Sequence, residues 1–337
     1  MIAQANGSPV LVRDIAKVNI TNRPRLGIAG FNQDDDAVTG IVLMRRGQES
    51  TPTIERVQKA VADINASGVL PPGVKIEIVM FDSPTDGKNA VVTKSVDFGT
   101  FGIAAAILGG AAGEPVVVVG AMSNKGMGVI SKAGSDMKTI KDLKGHKVGI
   151  WPGSTQEVFI FERLKMEGMT VKDITPVRVP FGEMPAMLAR GDIDAYVGAE
   201  PGPALSITSG AGQLVEYPYS TPMGGLNMIL GTHEETVAKS PDLVKTMLKI
   251  QRQAAEFMSA NTQTVVDATV QKLGANRAAV EQALGAKNVE YVWKLDDKVQ
   301  AQAKTYAQHM LDLKQIRALP KFDTFLNPKF SNEIANS

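Results

Sequence analysis

The sequence predicts an α/β protein built from two similar lobes, and two observations lead to this fold class. Predicted strands and helices alternate along most of the chain, and strand–helix–strand units of this length are typical of a parallel sheet covered on both faces. A short phrase also occurs twice, as AVVTKSVDFG at 90–99 and as AMLARGDIDAYVG at 186–198. Each copy has the order of a helix end, a tight turn and a buried strand. Such junctions are common in α/β proteins, but a pair of similar units favours two lobes with a small molecule between them.

The first part of the chain predicts a strand, a helix and a second strand. The segment VTGIVLM at 38–44 favours a strand. Residues 50–66 favour a helix, with Ser50 as its cap, Pro52 in its first turn and apolar residues along one face. A PPGV turn then leads to an alternating strand at 74–81. The elements expected next are a helix near 87–94, a strand at 96–99, a helix at 102–112 and a strand at 115–119.

The pattern changes after Gly120, where a segment with several Gly and Ser residues begins a new unit. The elements expected in this unit are strands at 147–151, 174–179 and 193–197 and helices at 155–168 and 183–190. A strand of sequence NMILGTH and a long helical region at 234–313 follow it.

This order predicts that one lobe is interrupted by the other. We expect an N-terminal extension at 1–37, a first lobe formed by 38–120 and 217–337, and a second lobe formed by 121–216. The chain would then cross twice between the lobes, and two crossings form a natural hinge.

Composition excludes several classes of function. The 337 residues contain 36 Lys and Arg against 35 Asp and Glu, and a net charge of +1 does not favour nucleic acid as a partner. The absence of cysteine excludes disulfides, thiolate nucleophiles and cysteine-based metal sites. The three histidines, His146, His233 and His309, lack the spacing of metal ligands, so we expect no metal and no cofactor. No stretch reaches the length of a membrane span, and the N-terminus lacks the pattern of a secretory signal.

From about residue 78 to 330 the chain resembles the nitrate-, sulfonate- and taurine-type substrate-binding proteins of ABC importers. The motifs that carry the resemblance stand in the family's order: SVDFG at 95–99, GEPVVVV at 113–119, DLKGHKVGIWPGST at 142–155, LARGDIDAYVGAEP at 188–201 and SPDLVK at 240–245. The resemblance implies a type II periplasmic-binding-protein fold that closes at a hinge. It also implies a monomeric, non-enzymatic protein of the periplasm that delivers a small anion, such as a sulfonate or nitrate, to an ABC permease.

The residues at about 8–78 resemble a different family, the periplasmic porter region of heavy-metal efflux pumps of the resistance–nodulation–division class. The matching phrases are SPVLVRDIAKV, RPRLGIAGFN, TGIVLMRRGQES and ASGVLPPGVKI. We interpret the chain as a fusion joined near 74–84, in which the pump-like strand and helix replace those of the importer family. The loop at 45–50 then stands where the importer family has a ligand-binding loop.

The segment WPGSTQE at 151–157 is the first candidate ligand site. It follows a strand and opens a helix, so that backbone N–H groups at Gly153, Ser154 and Thr155 could hold an anion. A capping box formed by Ser154 and Glu157 would explain the same residues without a ligand. In the resembling family this loop contacts the ligand.

Two further places are candidates, each with a structural alternative. Gly99 and Thr100 would face the cleft at the carboxyl end of a strand, or would only turn and cap the chain there. Glu200 could pair with a cationic part of the ligand, line the hinge or complement a helix dipole. Asp97 and Asp194 are expected to hold turns, and the run of aspartates at 34–36 is expected to be a solvated turn.

Two other functions compete with that of a solute-binding protein. An enzyme of the pyrimidine-synthase type would use a cysteine-rich motif and an active histidine, and the chain has no cysteine. A metal-efflux accessory fragment is suggested by the N-terminal residues alone.

Overall fold

The structure is a computed structural model that describes residues 77–79, 81 and 83–336. For residues 272 and 273 it describes the backbone only. Before residue 77 it describes the backbone of four short strands. The chain divides into two compact units, Met1–Ile41 and Val42–Ser337. In the first unit the described strands form two antiparallel pairs, each of two strands. The predicted strand at 38–44 and helix at 50–66 lie outside the described residues.

Strands and helices alternate in the described part of the chain. The strands are β1 (Ala3–Ala5), β2 (Ser8–Val10), β3 (Ala29–Phe31), β4 (Asp34–Ala37), β5 (Phe98–Gly102), β6 (Val116–Lys125), β7 (Met127–Lys132), β8 (Lys147–Ile150), β9 (Thr175–Arg178), β10 (Ala195–Ala199), β11 (Gly212–Glu216), β12 (Leu226–His233) and β13 (Val289–Tyr291).

The α-helices of the described residues all belong to the second unit. They are α1 (Pro84–Val92), α2 (Ile103–Ala111), α3 (Thr155–Met166), α4 (Met184–Arg190), α5 (Gly202–Thr208), α6 (Glu234–Lys239), α7 (Pro241–Ala260), α8 (Thr262–Leu273), α9 (Arg277–Gly285), α10 (Asp297–Asp312), α11 (Phe322–Phe325) and α12 (Lys329–Ala335). Within the described part of the chain, none of them is both long and apolar enough to cross a membrane.

The first large sheet has four strands in the order β13-β6-β12-β5. Every pairing in it is antiparallel, because β12 returns from a distant part of the chain and lies between β5 and β6. The prediction of a parallel sheet is therefore wrong here. Local strand–helix–strand order suggests parallel neighbours, but it cannot show that a later strand separates them.

The second large sheet has five strands in the order β11-β7-β10-β8-β9. Its β8 runs parallel to both β9 and β10, whereas β7 is antiparallel to β10 and to β11. The chain enters this sheet from β6 through Gly126 and leaves it through residues 217–225, which follow β11 and precede β12. These are the two places where the chain passes between the sheets.

Helix α3 packs against the second sheet and also against elements that pack with the first sheet. Ile160 and Leu164 are buried with β8 and β10 of the second sheet. Phe159, on the same helix, is buried in the core that contains α2 and α10. Its ring makes edge-to-face contacts with Tyr306, at a centroid distance of 5.3 Å, and with Tyr219, at 6.4 Å. The helix thus connects the two cores.

Two other expectations about the elements differ from the structure. The alternating segment at 74–81 forms no strand at Glu77–Val79, and its apolar Ile78 and Phe81 are exposed. Alternation provides an apolar face, but a strand also requires a hydrogen-bonding partner. The helical region at 234–313 is divided into five helices and is interrupted by the short strand β13. Its turns lie at Asn261 and near Gly274, where helix caps end one helix and begin the next.

We expect the replacement Tyr306→Phe to lower the free energy of unfolding by about 1–3 kcal/mol. The fully buried Tyr306 hydroxyl donates to the Leu226 carbonyl at 2.7 Å, and the variant leaves that carbonyl without its buried donor. The matched control is Tyr291→Phe, since Tyr291 is only partly buried. Urea titration measures both variants, and equal losses of stability would contradict the assignment.

Candidate functional site

The first turn of α3 is capped by Ser154 and turned by Gly153. The Ser154 hydroxyl accepts the Glu157 backbone N–H at 3.2 Å, as in a typical N-cap. Gly153 has φ of +75°, a left-handed conformation that strongly favours glycine. Ser154 and Thr155 are both about 1% exposed. The local sequence Pro-Gly-Ser-Thr therefore produces the predicted strand-to-helix junction.

The Glu157 carboxylate binds one of the backbone N–H groups that we expected a ligand to bind. It accepts the Gly153 backbone N–H at 2.8 Å and the Gln315 side-chain amide at 2.9 Å. The capping interaction predicted for Ser154 and Glu157 therefore forms with one difference. The Glu157 carboxylate accepts the backbone N–H of Gly153 instead of the backbone N–H of Ser154. Burial raises the pKa of Glu157, and the two hydrogen bonds partly oppose this rise. The N–H groups of Thr155 and Gln156 remain in the first turn, where a helix has no intrahelical acceptor.

The candidate residues of the first sheet lie within a strand and not after it. Strand β5 continues to Gly102, three residues beyond the predicted end of the strand. Gly99 pairs with Gly231 of β12, and the exposed Thr100 pairs with Leu230. The interpretation of Gly99 as a turn and Thr100 as a cap is therefore wrong, since Gly102 is the N-cap of α2.

The first turns of α2 and α3 meet. The Thr155 hydroxyl lies 3.5 Å from the Ala104 backbone nitrogen and accepts its N–H. A β-carbon placed on Gly102 would lie only 2.5 Å from the same hydroxyl oxygen, so this close approach requires glycine. Two helix N-termini, one following β5 and one following β8, thus lie side by side. Their N–H groups and helix dipoles both favour an anion at this place.

Glu200 belongs to a hydrogen-bonded network beside the chain crossings. One carboxylate oxygen accepts the Asn288 side-chain amide at 2.6 Å, and the other accepts the Ala204 backbone N–H at 3.1 Å. The Glu200 backbone N–H donates to the Gly126 carbonyl at 2.9 Å. Burial raises the pKa of Glu200, while its bonds to Asn288 and Ala204 lower it. The side chain and backbone of Glu200 are thus held beside the crossing at Gly126.

Asn288 and Tyr219 extend this network to the crossing at Gly126. The buried Asn288 amide also lies 3.1 Å from the Met127 carbonyl, and its side-chain oxygen accepts the Tyr219 hydroxyl at 2.5 Å. The same hydroxyl accepts the Met127 backbone N–H at 2.8 Å. Burial raises the pKa of Tyr219, so it remains a neutral hydroxyl. Residues from both crossings are thus held by one set of buried polar groups.

The other candidate residues have structural roles or lie apart. The Asp194 carboxylate accepts the Lys147 backbone N–H at 2.8 Å, so it holds the neighbouring strand β8 and not the turn that we predicted. For Asp97 the backbone carbonyl accepts the Thr232 hydroxyl at 2.6 Å. Asp34–Ala37 forms β4, so the aspartate run is a strand and not a turn. Within residues 77–79, 81 and 83–336, no group of three or more acidic or histidine side chains could hold a metal ion.

A surface groove of about 750 Å³ lies elsewhere, between α7, β13 and the start of α10. It is lined by Trp293, Tyr291 and Asn124 among others, and it includes no residue of the first turns of α2 and α3. We place the candidate site at the two helix N-termini because their backbone donors converge there, whereas the groove has an open, mixed-charge lining.

Sequence reasoning missed four residues that the structure brings to these places: Gly102, Gln315, Asn288 and Tyr219. Gly102 did carry a local signal, because it stands at the start of the helix predicted at 102–112, but its contact with Thr155 did not. Gln315, Asn288 and Tyr219 carry no local signal, since each meets its partner through contacts between distant parts of the chain.

We expect Glu157→Gln to change how stability depends on pH. The ordinary pKa of this carboxyl is 4.5 and the folded value is raised, so the folded protein holds the proton more tightly than the unfolded chain. The resulting stabilisation is fully present below about pH 4.5 and is lost as pH rises through the raised value. Relative to the variant, the free energy of unfolding of the wild type should fall by on the order of 1 kcal/mol or less as the pH rises over this range.

The measurement is thermal or urea unfolding of both proteins from pH 4 to pH 8. Glu183→Gln is the control, because Glu183 is an exposed carboxylate that directly precedes α4. A Glu157→Gln curve that runs parallel to the wild-type curve at every pH would contradict the assignment.

Comparison with known proteins identifies relatives of both parts of the chain. A protein of Escherichia coli (strain K12) named as an aliphatic sulfonates-binding protein is 30% identical over 132 residues, which are 39% of this chain and 41% of that protein. A Bacillus subtilis (strain 168) protein with the same name is 25% identical over 239 residues, covering 69% of this chain and 70% of that one. The cation efflux system protein CusA of Escherichia coli (strain K12) is 38% identical over 74 residues, 22% of this chain and 7% of CusA. The chain thus spans about two-fifths of the length of the Escherichia coli sulfonates-binding protein.

Solved structures show the same fold. The alkanesulfonate-binding protein SsuA from Xanthomonas axonopodis pv. citri superposes with a TM-score of 0.70 at 19% identity, covering 82% of this chain and 95% of SsuA. The nitrate-binding protein NrtA from Synechocystis PCC 6803 gives 0.67 at 14% identity, with 85% of each chain covered. The desulfurization enzyme DSZB gives 0.57 at 17% identity, covering 72% of this chain and 86% of DSZB. These likenesses confirm the predicted α/β fold of type II, with two lobes and two crossings.

Family models match both parts of the chain and confirm both resemblances. The AcrB/AcrD/AcrF family model matches residues 1–100, which supports the pump-like origin of the N-terminal segment. The NMT1/THI5-like family model matches residues 72–265, which is more than half of the chain. The chain therefore belongs to the NMT1/THI5-like family.

Proposed function

We propose that this chain is the solute-binding component of an ABC importer, and that it holds a small oxyanion such as a sulfonate or nitrate between its lobes. The observation that carries the proposal is the meeting of the first turns of α2 and α3, where Thr155 contacts Gly102 and Ala104. Relatives named for sulfonate and nitrate binding share the fold and support the same ligand class.

The proposed contacts are backbone and hydroxyl donors. Ser154 and Thr155 offer hydroxyl groups, and the first turn of α3 offers free N–H groups beside them. Gly153 shapes the loop, while its own N–H is bound to Glu157. Gly99 and Thr100 precede the first turn of α2 on the other side of the cleft. We assign Glu200 to the hinge end of the ligand site.

The two sheets serve as the cores of the two lobes. In this proposal residues 38–120 and 217–337 form the first lobe, 121–216 form the second, and 1–37 form an extension. The network of Glu200, Asn288 and Tyr219 lies beside both crossings and would guide closure. The partners are a permease of the ABC type and the ligand. The protein acts in the periplasm as a monomer.

The chain binds its ligand without transforming it. A fold shared with a desulfurization enzyme does not supply catalytic groups, since function depends on the site and not on the fold. The sequence has no cysteine that could act as a nucleophile. Backbone N–H groups at two helix N-termini stabilise an anion without reacting with it.

We expect the double replacement of Ser154 and Thr155 by Ala to weaken anion binding by about 100- to 10,000-fold, since two hydroxyl donors are lost. Each lost hydrogen bond to a charged group contributes about 1.5–3 kcal/mol. The lost cap should also lower the free energy of unfolding by about 1 kcal/mol. Calorimetric titration with ethanesulfonate and with nitrate, in a buffer free of sulfonates, measures the affinity.

The matched control for this experiment is Ser83→Ala. Ser83 caps α1 by accepting the Asp86 N–H at 3.1 Å, so its loss removes a similar cap away from the cleft. The control should lose stability and keep its affinity. Equal affinities of the wild type and the double variant would assign the Ser154 motif to capping alone.

The N-terminal pump-like segment should alter affinity more than it alters folding. It supplies Arg45, Arg46 and Gln48 where the importer family has a ligand loop, and binding requires polar groups placed within about 0.5 Å. We expect exchange of residues 1–80 for the corresponding start of an importer-family protein to change ligand affinity at least several-fold. An unchanged affinity, measured by the same calorimetry, would show that this loop takes no part in binding.

A further inference from the structure

Arg178 differs from most arginines of the described residues in its charge environment. Four of the six described arginines form ion pairs with carboxylates: Arg163, Arg190, Arg252 and Arg277. Among the described residues, no carboxylate oxygen lies within 4 Å of the guanidinium groups of Arg178 and Arg317. Of these two, only Arg178 lies on a strand of the second sheet. Among the described residues, therefore, no carboxylate neutralises its charge.

The position of Arg178 places it at the edge of the sheet from which α3 begins. It is the last residue of β9 and pairs in parallel register with Ile150, the last residue of β8. The chain then passes from β8 through Trp151 to the first turn of α3. Because adjacent strands lie about 4.8 Å apart, Arg178 stands directly beside the start of this loop.

The residues around Arg178 are divided between the two faces of the sheet. Its neighbours Val177 and Val179 pack together in the core of one face, with α4. Trp151 packs against this same core, so the Arg178 guanidinium that stacks on its ring lies at the end of the sheet, beside Trp151. Ile160 and Leu164 of α3 pack on the opposite face, against β8 and β10.

Trp151 holds the guanidinium in place. The central carbon of the Arg178 guanidinium lies 4.9 Å from the centroid of the half-buried Trp151 ring, a cation–π contact. The Ser154 backbone N–H donates to the Trp151 carbonyl at 3.3 Å, which ties the backbone of Trp151 to the cap of α3. Stacking uses the face of the guanidinium and leaves its N–H edge available. Such an edge binds two oxygens of one anion at once.

We propose that Arg178, supported by Trp151, binds the oxyanion group of the ligand and selects anions with two or more oxygens over single-atom anions. The inference rests on the proposed function, since it assigns a specificity residue to the same cleft. The first turn of α3 supplies single N–H donors to the anion, and Arg178 supplies the paired donors that recognise its shape.

The test is calorimetric titration of the full chain with ethanesulfonate, nitrate, sulfate and chloride in a buffer free of sulfonates. We expect Arg178→Gln to weaken binding of the oxyanions by about 10- to 100-fold, the loss typical of a hydrogen-bonded charge. Arg178→Lys keeps the charge but loses the planar fork, so it should weaken oxyanion binding less and reduce the preference over chloride. Trp151→Leu should act in the same direction as Arg178→Gln.

Arg190→Gln is the matched control, because Arg190 is an exposed arginine of the second lobe that pairs with Asp192 at 2.8 Å. It removes the same long-range charge and should change affinity by less than twofold. If the wild type binds an oxyanion and Arg178→Gln binds it equally well, this inference is overturned and the proposed function stands. If the wild type binds none of the oxyanions, the proposed function fails, and the inference fails with it.

Discussion

The contact between Thr155 and Gly102 is the constraint on which the geometry of the cleft depends. It joins the start of α3, which follows the second sheet, to the start of α2, which follows the first. Because any β-carbon at 102 would collide with the Thr155 hydroxyl, the backbone itself sets how closely the helix N-termini approach. Phe159 secures the contact one turn further along α3, where its ring packs on Tyr306.

Glu157 shows how the protein balances the positive end of α3. A helix N-terminus that is buried without an acceptor is unfavourable, and the Glu157 carboxylate provides one within the same helix. Gln315, which follows α10, donates to the same oxygen. The charge at the helix N-terminus is thus linked to an element that packs with the first sheet. Only part of the first turn is left for an external anion.

Local signals in the sequence predicted local structure well. The start of α3 could be predicted from Gly153, Ser154 and Glu157, and the buried strand β6 from the apolar run before Gly120. Features that depend on distant partners could not be predicted in this way. The insertion of β12 between β5 and β6 and the bond between Glu200 and Asn288 both join segments that are about 90 or more residues apart. The end of β5 was misplaced because the small residues of SVDFGTFG suit a turn as well as a strand.

The insertion of β12 has a consequence for the order in which the sheets can be completed. All five strands of the second sheet lie within residues 127–216, so they are present once that stretch has been synthesised. The first sheet still lacks β12 and β13 at that moment. Gly120, for example, can pair only after Leu230, 110 residues later in the chain, has been synthesised. Until then the apolar strand β6 has no neighbour on either side within its own sheet. Unpaired apolar strands readily associate with other chains, so during synthesis the first of these two sheets is exposed to aggregation for longer than the second.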